Sequence, residues 1–88
     1  MKYSTGDIQG KYDILDVVFA SSDSANGFDY PTATTNLGEY AKELGADAVI
    51  NIAYQQREYT GTKKVCFQEQ NERRFEIFAA GTCIKFTK

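Results

Sequence analysis

Two hydrophobic periods alternate along this chain, and together they lay out its elements. From Lys11 to about Ala20 the run Tyr12-Asp13-Ile14-Leu15-Asp16-Val17-Val18-Phe19 has the β-branched and aromatic content of a strand. Strict alternation puts Leu15, Val17 and Phe19 on one face and Tyr12, Ile14 and Val18 on the other, so both faces are apolar. Residues 21–31 read as a loop that ends in Asp29-Tyr30-Pro31. The period then lengthens. Ala33, Leu37, Tyr40, Ala41 and Leu44 recur at i, i+4, i+7, i+8 and i+11, which is one helical stripe and predicts a helix over residues 32–45. Thr32 or Thr34 is placed to cap its first amides, and Lys42 in the last turn suits the helix dipole. Gly45 stands where a helix C-terminus wants positive φ. The stripe predicts Leu37, Ala41 and Leu44 against a sheet, with Glu39, Lys42 and Glu43 in solvent.

The stretch Leu44-Gly45-Ala46-Asp47-Ala48-Val49-Ile50-Asn51-Ile52 joins that helix stop to a second strand, expected from 47 to about 58. There Ala48, Ile50, Ile52 and Tyr54 alternate with Val49, Asn51, Ala53 and Gln55. Thr60-Gly61 signals a turn or bulge, Thr62 to Gln68 a further strand, and Glu69-Gln70-Asn71-Glu72 a polar turn. A last strand runs from Arg73 to Thr87 with two apolar sets, Phe75, Ile77, Ala79 and Phe78, Ala80, Ile84, Phe86, and with Gly81 as a bulge between them. Residues 1–10, where Gly6 and Gly10 bracket Asp7-Ile8-Gln9, form a loose arm or a short edge strand. The chain thus reads as α+β, β-α-β-β(-β). A right-handed crossover makes the first two long strands parallel and leaves the last one between them, antiparallel to both. One helix covers one face of such a sheet, and the other apolar face calls for another subunit.

Composition narrows the classes of function. At 88 residues the chain is a single domain, 1–88, and with 42% hydrophobic and 25% charged residues it is globular rather than disordered. A domain this small buries only roughly 60–65% of its unfolded surface, so its own core is modest. A net charge of −2 argues against general affinity for nucleic acid or anionic membrane, because both need clustered excess Lys and Arg. The start Met1-Lys2-Tyr3-Ser4-Thr5-Gly6-Asp7 has no apolar signal core, and no stretch approaches the roughly 20 apolar residues of a membrane span. A cytoplasmic location is the expectation, with both cysteines reduced.

Candidate chemistry is sparse. There is no histidine, and Cys66 and Cys83 lack the CxxC spacing of a metal or redox site. With the turn centred near Asn71, Cys66 would face about Glu76. Cys83 would then lie seven residues farther along, or roughly 23 Å, so the two could not share a soft metal within one subunit. A ring of identical thiols between subunits is the remaining metal arrangement. Arg57, Lys63, Lys64, Arg73 and Arg74 gather at the distal hairpin beside Tyr59 and Phe67, and Arg57, Lys64, Arg73 and Arg74 are the anion-binding candidates. Glu58, Glu69, Glu72 and Glu76 interleave with them and leave little net field. Asp23-Ser24-Ala25-Asn26-Gly27-Phe28-Asp29 has oxygen ligands beside a glycine but no acid at the twelfth position of a calcium loop. Asp13 and Asp16, three apart on a strand, face opposite ways and do not pair as acid and base. Asp47 reads as a local cap or turn residue after the helix.

Three stretches resemble one family. Tyr12-x-Ile14-Leu15-x-x-Val18, then Ala41-x-x-Leu44-Gly45-Ala46-Asp47-Ala48-Val49-Ile50, then Ala80-Gly81-Thr82-Cys83-Ile84 look like the YbjQ-like family. Its hallmarks are a helix ending in LGADAV and a last strand carrying GTAV. The middle motif matches residue for residue, and the last matches in Gly81-Thr82. The resemblance implies a dodecin-subunit-like β-α-β-β core, a mostly antiparallel sheet of order 1-3-2 with one helix on one face, and assembly into a ring of five. The family is functionally uncharacterised and carries a heavy-metal-binding label that no ligand motif here supports. The chain departs from the pattern in a short segment between residues 20 and 45, a long hairpin from Arg57 to Arg73, and Cys83 in place of alanine.

The expectation from these readings is a non-enzymatic oligomeric binding or scaffold module without a cofactor, partnered chiefly by itself as a homo-pentamer. A ring that sequesters metal or a small ligand, and an enzyme whose site forms only between subunits, are the alternatives from other classes.

Overall fold

The computed structural model describes residues 1–87. Its elements are β1 (Lys2–Tyr3), β2 (Tyr12–Ser24), α1 (Tyr30–Glu43), β3 (Ala48–Val65) and β4 (Gln68–Phe86). They form one four-stranded sheet in the order β1-β3-β4-β2. β4 lies between β2 and β3 and is antiparallel to both, as the crossover argument requires. β1 adds a short parallel edge, Lys2 opposite Ala48 and Tyr3 opposite Val49. A single α1 rests on one face, so the architecture is α+β with a mixed sheet.

α1 begins and ends on local chemistry. Its N-cap is Asp29, not Thr32 or Thr34: Asp29 Oδ1 accepts from the Thr32 amide at 3.0 Å, and Thr32 Oγ1 donates to Oδ2 at 2.6 Å. Thr34 turns instead to the Tyr30 carbonyl and the Tyr54 hydroxyl. At the other end Gly45 takes φ 78°. Its amide donates to the Lys42 carbonyl, and the Ala46 amide to the Ala41 carbonyl, each at 3.0 Å, the paired bonds of a Schellman stop. Asp47 does more than cap locally, since its Oδ2 accepts from the Phe86 amide at 2.9 Å and ties the start of β3 to the end of β4.

The helix meets the sheet through Ala33, Leu37, Gly38 and Ala41, all buried. Leu44, expected in the core, is 46% exposed, and Tyr40 of the same stripe is 52% exposed. Small residues at 33, 38 and 41 let α1 approach closely along a narrow line, which leaves Tyr40 and Leu44 on its flank. Beneath the helix lie Val18, Val49, Ile52, Ile77, Ala79 and Cys83.

Two bulges decide which side chains share that face. The β2–β4 register shifts between Ile14 and Asp16, and the β3–β4 register between Ile50 and Ala53, where Asn51 adopts φ 52°. Each bulge reverses the parity of its strand. Val49 and Ile52 therefore share the helix face although they lie three apart, and Ile14 joins Val17 and Phe19 on the opposite face. Both groupings differ from strict alternation. Gly81, expected as a bulge, pairs regularly with Val18, and its lack of a side chain serves packing instead.

The expected third strand and polar turn at residues 69–72 are one continuous hairpin. β3 runs through Thr60-Gly61 to Val65, the turn is Cys66-Phe67, and β4 starts at Gln68. Thr62 opposes Asn71, so residues 69–72 are strand. β2 accompanies β4 only as far as the Ser24–Phe75 pair. Beyond it the hairpin continues as a two-stranded arm, which accounts for a molecule of 60 × 22 × 15 Å.

Candidate functional site

The sequence candidates fall in separate places. Cys66 is exposed at the arm tip, and Cys83 is buried under α1. Fifteen residue steps along β4 from Gln68 to Cys83 put them about 50 Å apart at roughly 3.3 Å per residue, farther than the register expected from a turn at Asn71. Burial, with a smaller contribution from Asp16, pushes the Cys83 thiol above its ordinary pKa and disfavours the thiolate a soft metal would bind. Among the described residues no three His, Cys, Asp or Glu side chains converge as metal ligands.

The basic cluster is largely self-neutralised. Arg57 pairs with Glu76, Arg73 with Glu58, and Arg74 with Asp23 at 2.9 Å and Glu72 at 3.5 Å. Cross-strand alternation puts Arg57 and Arg74 on one face of the hairpin and Arg73 on the other, so these arginines build no common anion pocket. Among the described residues Lys63 and Lys64 make no ion pair.

The Asp23–Tyr59–Arg74 group has a structural role. The Tyr59 hydroxyl donates to Asp23 Oδ2 at 2.5 Å and Arg74 Nε to Oδ1 at 2.9 Å, across the point where β2 ends and the arm begins. The Tyr59 hydrogen bond and the Arg74 contact hold the Asp23 carboxyl below its usual range, and the same bond raises the Tyr59 phenol. Sequence spacing could not show this group, because Asp23 and Arg74 are brought together only by the β2–β4 register.

What remains is a surface. On the sheet face away from α1, the N-terminal segment covers Ala48, Ile50 and Ile84 through Ile8, with Tyr12 and Phe86 beside them. Toward β2 that cover stops, and Ile14, Val17, Phe19 and Phe78 stand 67, 50, 71 and 41% exposed. This patch continues round the outer edge of β2, which no strand pairs among the described residues. Between that edge and α1 lies a cleft of about 560 Å³ lined by Phe19, Ser21, Asn36, Glu39, Tyr40 and Glu43. It extends past Val17 to Leu44. Its lining mixes the rings of Phe19, Tyr40 and Phe78 with Ser21 and Asn36, beside a free strand edge and two carboxylates on one helix lip.

This geometry defines a small α+β protein with an unpaired β2 edge and an exposed apolar surface beside it. A family model described as "Putative heavy-metal-binding", of YbjQ type, matches residues 30–87, and the chain belongs to that family. A crystal structure of a protein of unknown function from Pediococcus pentosaceus, assigned to the DUF74 family, is similar along nearly the whole length. The two share 23% identity with a TM-score of 0.70 over 99% of this chain and 98% of the other, a likeness of fold. No curated protein matches the chain.

Proposed function

We propose that the protein is a non-enzymatic binding or scaffold module that works as a cytoplasmic homo-oligomer, a ring of five copies as the family resemblance implies. The observation that carries this reading is the continuous exposed apolar surface of Ile14, Val17, Phe19 and Phe78, on a sheet whose single helix covers the other face. Monomers rarely leave such a patch in water. A standard interface removes roughly 800 Å² per partner, which at about 25 cal/mol per Å² of apolar area exceeds the costs of association when the core of the patch is apolar. Analytical ultracentrifugation at micromolar concentration tests it. A discrete species of five times 9.9 kDa is expected, and a monomer overturns it. No helix of the described residues is long and apolar enough to cross a membrane.

The family description favours one second reading, a metal-sequestering ring. Within a subunit the donors do not converge, so the thiol offered is Cys66, exposed at the arm tip and repeated once per copy. Metal analysis of the purified oligomer, compared with Cys66→Ser, decides it: a stoichiometric soft metal lost in the variant supports sequestration, and metal-free protein of unchanged mass removes it.

A further inference from the structure

We infer that the hairpin arm of one copy adds as a strand to the free edge of β2 in the next, within the cleft beneath α1. The inference rests on the oligomeric reading above and specifies how neighbouring copies are joined.

Both edges are open and on opposite sides of the sheet. Beyond Ile52 no strand lies against the outer edge of β3, and none lies against β2. Long open edges are normally blunted. Here the blunting is confined to two points: the Leu15 bulge, where Asp16 Oδ1 accepts from the Val17 amide, and Ser21, to whose carbonyl Asn36 Nδ2 donates. The strand between them is open. Pairing the β3 edge of one copy with the β2 edge of the next continues the order β1-β3-β4-β2 in one direction. That contact is heterologous, the type that closes rings. It also supplies the arm with a third strand, and two-stranded hairpins are marginal without one.

Charge selects the occupant. Glu39 and Glu43, one turn apart on the exposed side of α1, form the lip of the cleft. The β3 edge of the arm carries Lys63 and Lys64, the arm cations without a carboxylate partner among the described residues. Alternation from the Glu58–Phe75 pair, whose Phe75 packs on Phe28 below the helix layer, sets Lys64 on the helix-bearing face and Val65 on the open one. A sheet that keeps its faces from copy to copy thus brings Lys64 under the neighbour's Glu39 and Glu43. Val65, 38% exposed, comes beside the neighbour's Phe19.

Charge reversal tests this with native mass spectrometry and sedimentation in low and high salt. All four positions are exposed. K63E/K64E alone and E39K/E43K alone are each expected to run as 9.9 kDa monomers with unchanged circular dichroism. The combined chain E39K/E43K/K63E/K64E is expected to regain the wild-type mass, because every arm then meets an opposite lip whatever the number of copies in the ring. Recovery in the combined chain also excludes misfolding as the cause of the loss. The wild-type assembly should weaken as salt rises. If the wild type assembles while K63E/K64E keeps the same mass and salt response, the arm pairing is wrong and the oligomer stands. If the wild type is monomeric, both readings fall.

Discussion

Leu37 of α1 closes directly onto Gly81 of β4. A Cβ at position 81 would sit 3.4 Å from Leu37 Cδ2, 3.2 Å from Ile52 Cγ1 and 2.5 Å from Val49 Cγ1. The helix packs this low because the strand beneath it has no side chain at that point. Two opposite substitutions probe the same contact. Gly81→Ala should destabilise by about 1–3 kcal/mol through overpacking, and Leu37→Ala, at a position with no exposure, by about 2–5 kcal/mol through the cavity it leaves. Urea denaturation checks both, and an unchanged midpoint for Gly81→Ala would mean that Val49 and Ile52 do not close over position 81.

The two thiols should behave as different groups. Cys66 is exposed, whereas Cys83 has no accessible surface and burial raises its pKa. A disulfide reagent at pH 8 should therefore titrate one thiol rapidly in the native protein and two in denaturant. Cys66→Ser should leave the native protein unreactive. Fast modification of a second native thiol would contradict the packing of Cys83 under α1.

Elements whose signal is local were legible in the sequence. The 3.6-residue stripe and Gly45 located α1 and its stop, and the crossover rule placed β4 between β2 and β3. Features set by contacts between distant residues were hidden. The bulges at Leu15 and Asn51 depend on how β2 and β3 fit β4, and each reverses the faces that alternation assigns. The turn at Cys66-Phe67 carries none of the glycine or asparagine that marks a tight hairpin, whereas the nearby polar run 69–72 imitates one. The open apolar face could be inferred from strands that are apolar on both sides. The β2–α1 cleft could not, since it exists because Tyr40 and Leu44 flank the contact line instead of entering it.

Asp29 links the helix cap to pH. Hydrogen bonds from the Thr32 hydroxyl and then the Thr32 amide hold its carboxyl below the ordinary value. A carboxylate depressed in the folded state contributes stability that is full above its unfolded pKa, near 3.9, and is lost as pH falls through the lower folded value. Asp7 and Asp23 are depressed too and follow the same sign. Asp29→Asn keeps a capping oxygen without the charge. The variant should therefore be less stable than the wild type at pH 7, and the gap should shrink as pH falls below about 4. Denaturation midpoints at pH 7 and pH 3 check this, and a gap that widens in acid would reverse the assignment.

The arm tip stores conformational cost. Cys66 and Phe67 take φ 50° and 67°, both in the left-handed region, and they join β3 to β4 as a two-residue turn of the kind that favours Asn-Gly. Each non-glycine residue held there costs about 1–2 kcal/mol, less for residues that tolerate the region. Phe67 recovers nothing within its own subunit, because its side chain is fully exposed. Cys66→Asn with Phe67→Gly should then relieve the turn, raising amide-exchange protection across residues 59–74 without altering the core. If Phe67 also seats against a neighbouring copy, the same variant should loosen the assembly while its arm becomes more stable. Hydrogen exchange and native mass on one sample separate the two effects. An arm that exchanges faster after the substitution would show that Cys66 and Phe67 are not strained as their backbone angles indicate.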